Sequence, residues 1–177
     1  MKLKLYSLVI ISLMMTGCAF NVAPYGASIK NVESIKINSI KPISVSTFTS
    51  KENGKSSINC RAAGPVTVNP SFATYIEKAL IDELKLAGAY DQNSSINIKG
   101  RLEEIDFSSG ITDGKWLFTV TLTNSRNESF TTTSIFNFSG SFIADRACQE
   151  TAQAFSPAVQ KLIFDIVTNP QFKNIAN

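Results

Sequence analysis

The chain contains no histidine. That removes the residue on which Ser-His-Asp and Cys-His nucleophile arrangements depend, together with the commonest nitrogen ligand of zinc. Cysteine is scarce as well: Cys18, Cys60 and Cys148 are the whole set, and no Cys-x-x-Cys spacing occurs. Neither a redox motif nor a thiolate metal site is spelled out. Gly64, Gly110 and Gly114 lack the spacing and the following helix of a phosphate-binding loop. No apolar run approaches the roughly 20 residues that span a bilayer, and no internal repeat or low-complexity tract is present.

What is present begins at the first residue. Lys2 and Lys4 precede an apolar run, Leu5 to Met15, and the small residues Thr16 and Gly17 precede Cys18. A positive start, a short apolar segment and small residues form an export signal, expected over residues 1–17. Without Lys2 and Lys4 the formal charge of +3 falls to +1, counting side chains only. No basic field remains to attract nucleic acid.

Met15-Thr16-Gly17-Cys18 resembles the bacterial lipobox, whose cysteine is acylated and becomes the mature N-terminus; Met15 stands where leucine is usual. An ordinary signal peptide cut elsewhere, leaving Cys18 a free thiol, is the competing reading. Acyl chains on Cys18, palmitate among them, contribute about 0.8 kcal/mol per buried CH₂, and several on one residue anchor a protein durably. Ala19, rather than Asp, follows the cysteine. In the enterobacterial sorting pattern this resembles an outer-membrane address.

With Cys18 acylated, Cys60 and Cys148 are left as a pair in an oxidising compartment, and a disulfide between them is expected. Residues 18–34 mix Pro24, Gly26, alanine and serine without a period, as a flexible tether would. Residues 35–169 have the length of one domain, and residues 170–177 read as a tail.

Within that domain, Ile35, Ile37, Ile43, Val45 and Thr47 alternate on either side of Pro42 and predict a strand. Asn53-Gly54 marks a turn. Ile58 to Val68 reads as irregular or as a short strand. Asn69-Pro70 predicts a helix start, Phe72, Ile76, Ala79, Leu80, Leu84 and Ala87 give its apolar face, and Gly88 its stop. Glu77, Lys78, Asp82, Glu83 and Lys85 fall on the opposite face, which favours a core-facing helix over one lying on a membrane. Ile96 to Leu102 alternate as a strand whose register slips near Glu103-Glu104, as at a bulge. Trp116 to Leu122 and Phe130 to Ala144 predict an antiparallel hairpin. Asp145 is the expected cap of a last helix through Ile166, interrupted or restarted at Ser156-Pro157.

The order β-α-β-β-β-α predicts an α+β domain: an antiparallel or mixed sheet of about four strands with two helices on one face. Its other face should be largely polar, with Leu117, Ile135 and Ile143 among threonines, serines and Asn137. Glu103 and Glu104 with Asp106 could in principle do acid-base work, but neighbouring strand residues point to opposite faces. Trp116 and Phe118 read as core. No catalytic, cofactor-binding or metal-ligating residue is nominated.

Lipobox, tether and this layout together resemble the small outer-membrane lipoproteins of Gram-negative bacteria, the YajG-type and LptE-type among them. Only Met15 to Cys18 is a specific motif; the rest, to about Asn169, is likeness of layout, and the Cys60/Cys148 pair is not part of it. The resemblance implies a lipid-anchored cell-envelope protein that faces the periplasm. Two roles follow as expectations: a non-enzymatic adaptor offering a sheet or sheet edge to an envelope protein partner, or a carrier holding a lipid or other amphipathic molecule between sheet and helices. A large apolar cavity would favour the carrier, and a filled core with an open edge the adaptor. An enzyme acting on peptidoglycan or glycan is the third class.

Overall fold

Period-two burial organises the longest strands, and it peaks in the segment from Asp113 to Asn124, where every second side chain from Gly114 onward is buried. A computed structural model describes residues 19–177. In chain order its elements are β1 (Phe20–Asn21), α1 (Ile29–Ile37), β2 (Ser44–Val45), β3 (Thr49–Ser50), β4 (Ser57–Cys60), β5 (Gly64–Thr67), α2 (Phe72–Ala87), β6 (Asn97–Ser109), β7 (Asp113–Asn124), β8 (Ser129–Ser139), α3 (Ala144–Val167) and α4 (Pro170–Ile175). The result is a single α+β domain. The expected signal over residues 1–17 and the lipidation site Cys18 lie outside the described residues.

The main sheet runs β2-β6-β7-β8, with β3 also pairing β6. β6, β7 and β8 are antiparallel, as the alternation predicts, whereas the two-residue β2 and β3 join β6 in parallel. The register shift between Leu102 and Glu104 is the anticipated bulge. Gly100 is required by close approach, because a Cβ there would run into the Phe48 ring. A second, small sheet of order β1-β5-β4 resolves the ambiguous Ile58 to Val68 stretch as a hairpin.

α2 and α3 lie on one face of the main sheet. The layer between them is filled by Phe72, Leu80, Leu84, Ile98, Leu102, Trp116, Phe118 and Phe155, all fully buried. Trp116 donates its Nε1–H to the Thr151 carbonyl at 2.9 Å, so even its one polar atom is satisfied. Gly88 ends α2 with φ of 75°, a left-handed stop that only glycine adopts without cost.

Several expectations are corrected. Ile35 and Ile37 belong to a helix, α1, which rests on α2 and α3: Ile35 is buried while Ile37 is 80% exposed, so their alternation is not a two-sided strand pattern. The supposed tether is folded, since Phe20 and Asn21 pair with Val66 and Thr67. The supposed tail carries α4, whose Phe172 and Ile175 are buried, Phe172 with its ring edge-on to Phe130. The cap of α2 is Ser71, whose Oγ accepts from the Thr74 amide, not Asn69. Asp145 sits in the first turn of α3, behind Ile143 at the cap position. α3 continues through Pro157, which faces solvent, where the carbonyl it leaves unpaired can take water.

Candidate functional site

The surface that distinguishes this molecule is built from β8 and the end of the domain where α3 starts. β8 is held on its inner side by β7 over eleven residues in unbroken register, from Asp113 opposite Ser139 to Thr123 opposite Ser129. A tight turn sets that register: the Asn124 amide donates to the Glu128 carbonyl at 2.9 Å, and Asn127 takes φ of 63°. Because hydrogen-bonded and non-bonded pairs alternate in an antiparallel ladder, the amides of Thr131, Thr133 and Ile135 point away from β7. Among the described residues no strand pairs with that side.

The outward face of the sheet is polar, as expected. Thr119 and Thr133 hydroxyls lie 3.1 Å apart, Thr121 and Thr131 2.8 Å, and Leu117 faces a half-exposed Ile135 across the same pair of strands. Ile143 does not join them, being at the start of α3. On the inner face, Ser134 donates to the Asp165 carboxylate at 2.6 Å, fixing β8 against α3.

Cys60 and Cys148 are joined by a disulfide between Cα atoms 5.8 Å apart, and both are fully buried. It ties the β4–β5 hairpin to the second turn of α3. Beside it, Arg61 donates through its guanidinium to the carbonyls of Ser109 and Gly110, and more weakly, at 3.5 Å, to that of Phe142. Thus one arginine clamps the β6–β7 connection and the β8–α3 connection together.

The folded N-terminal segment is held by Glu83, which the helical pattern of α2 assigns to the polar face but which is fully buried. One carboxylate oxygen accepts from the Tyr25 hydroxyl at 2.6 Å, the Ser28 amide at 2.8 Å and Asn31 Nδ2 at 3.2 Å; the other has no partner. Burial first, and the neighbouring Glu83 second, push the Tyr25 phenol far above its ordinary pKa. Sequence pattern missed Glu83 because period alone cannot tell a solvated acid from one covered by a later-docking segment.

The carboxylates considered for acid-base work border an open groove of about 590 Å³ with Lys51, Glu52 and Lys55. Glu103 and Glu104 both line it, since the bulge disrupts the alternation that would separate them. Among the described residues no group of three or more His, Cys, Asp or Glu could hold a metal ion, and no helix is long and apolar enough to cross a membrane.

No protein-family model matches the sequence, and no curated protein matches it either. Among solved structures, the DUF330 protein XCC0632 of Xanthomonas campestris has a similar fold, with a TM-score of 0.55 at 11% identity over 89% of this chain and 96% of that one. The hypothetical protein CT253 of Chlamydia trachomatis is more distant, with a TM-score of 0.43 at 10% identity over 77% of this chain and 99% of that one. The first likeness establishes a shared fold and nothing about activity.

Proposed function

We propose that this chain is a non-enzymatic accessory lipoprotein of the Gram-negative cell envelope. Acylated Cys18 fastens it to the outer membrane, facing the periplasm, and β8 receives an extended strand from an envelope protein partner. The observation that carries the reading is the uncharged open edge of β8. It holds eleven residues, no lysine, no proline and no bulge, so it lacks the devices with which edge strands avoid pairing. Strand addition uses main-chain hydrogen bonds for affinity and alternate side chains for specificity. The filled layer between sheet and helices supports the adaptor rather than the carrier, which needs room for an acyl chain there.

The test is a photoreactive amino acid placed at Thr133 in the full-length protein in intact cells, with Thr49 on the opposite edge as control. A discrete protein adduct at Thr133 and none at Thr49 is expected. Adducts at both positions alike, or at Thr49 only, would refute the assignment of the edge.

A further inference from the structure

Three large apolar side chains stand in solvent at one end of the domain: Ile111 at 62% exposure, Phe142 at 80% and Ile143 at 62%. They come from different connections but form one tip. The Gly140 amide donates to the Thr112 carbonyl at 3.0 Å, the Ser141 amide to the Gly110 carbonyl at 3.2 Å, and Arg61 bridges both loops. The Cys60–Cys148 bond braces the same end from inside.

The described chain enters the fold here too. β1 runs parallel to β5 with Phe20 opposite Val66, so Ala19 lies toward the Gly64 side, where Arg61 turns the hairpin. Ala19 borders a groove with Gln149 and Gln153 on α3. Gln149 lies six residues from Ile143, about 9 Å at the helical rise of 1.5 Å per residue. Ala19 is one residue beyond Cys18, and β1 starts at the next position. With the anchor of the proposed function at Cys18, one residue of sequence lies between the attachment point and β1.

We infer that Ile111, Phe142 and Ile143 enter the interfacial layer of the bilayer that holds Cys18, giving the domain a second, non-covalent foothold and a fixed orientation. The inference rests on the lipid anchor of the proposed function. A membrane is the occupant because an acyl group attached at Cys18 keeps the bilayer within reach of this end, and because an aromatic and two aliphatic side chains suit the interface. Charge does not drive the contact: Arg61, Lys115 and Arg146 are offset by Asp113, Asp145 and Glu150, the last 3.8 Å from Arg146. Insertion is therefore independent of anionic lipid. The exposed edge of β8 extends away from this base and stays available in the periplasm.

The experiment uses the full-length acylated protein in phosphatidylcholine vesicles with and without brominated acyl chains. Phe142→Trp reports the tip, while the native Trp116 is fully buried and supplies a constant background. Ile37→Trp is the control: Ile37 is 80% exposed, and the neighbouring Asn38 donates to the Val167 carbonyl at the far end of α3, about 35 Å from Ala144. Brominated lipid is expected to quench Phe142→Trp at least threefold more than Ile37→Trp, and the added changes Ile111→Asp and Ile143→Asp to abolish the excess. Equal quenching of the two tryptophans in a protein whose mass shows acylation would overturn the tip and leave the anchor standing. A mass without acyl chains would overturn both.

Discussion

The two edges of the main sheet are managed in opposite ways. On one side of β6, β2 and β3 supply two residues each, with Pro42 just before β2 and Lys51 just after β3, and between them the Phe48 amide donates to the Glu77 carboxylate of α2 at 2.8 Å. On the other side, β8 offers eleven neutral residues in continuous register. A short, interrupted edge flanked by proline and lysine gives a passing strand little to extend along, whereas a long neutral one is a template. Among the described residues, then, one edge is interrupted and the other is left open for strand pairing.

The largest expected effect concerns whether both edges belong to one rigid body. The disulfide closes a loop with a sequence separation of 88 residues, and replacing Cys60 and Cys148 with serine should cost about 4 to 5 kcal/mol in the loop-entropy account. Urea unfolding of the unreduced protein against the double variant measures it. The same unreduced protein should show no alkylatable thiol at Cys60 or Cys148.

Next comes the folded N-terminal segment before α1. Glu83→Ala leaves Tyr25, the Ser28 amide and Asn31 without their shared acceptor and should cost about 2 to 4 kcal/mol, with proteolysis appearing first before Ile29. Crosslinking from β8 should survive, since Glu83 lies on the helical side of the molecule. The pH dependence follows from Tyr25. Its folded pKa is raised, so the neutral phenol is the form the fold favours; that stabilisation is fully present below about pH 10 and is lost as pH rises above it. Denaturation midpoints should fall above pH 10 in the unsubstituted protein and less so in Tyr25→Phe.

A smaller effect on stability separates fold from function at the edge itself. Thr133→Pro removes an amide that points away from β7, a position an edge strand tolerates, so stability should change by no more than about 1 kcal/mol. Capture of the partner by a photoreactive group at Thr131 should drop roughly tenfold, the worth of about 1.4 kcal/mol. A variant that folds normally and still captures the partner fully would remove the difference between the edges.

How much of this was legible before the fold was seen depended on length of pattern. The α2 face from Phe72 to Ala87 and the Trp116 hairpin repeat their period long enough to define their elements and the side that is buried. Ile35 and Ile37 do not, because two residues cannot separate a period of two from chance in a nine-residue helix. β1, β2 and β3 are two residues each and exist only through their partners. Glu83 reads as solvated until Tyr25 covers it. Phe172 and Ile175 look like a tail because six residues give no usable moment, yet they complete the core beneath Phe130. The disulfide was legible by counting cysteines. That β8 borders the sheet was not, since alternation specifies a strand's two faces and says nothing of its neighbours.

Amide hydrogen exchange of the β8 peptide, compared between native membranes and the purified acylated protein in vesicles, tests the adaptor reading most directly. Slower exchange over Ser129–Ser139 in native membranes, with Thr49 and Ser50 unchanged, is the predicted result. Equal exchange of the β8 amides in the two settings would mean that no strand pairs there, and would contradict it.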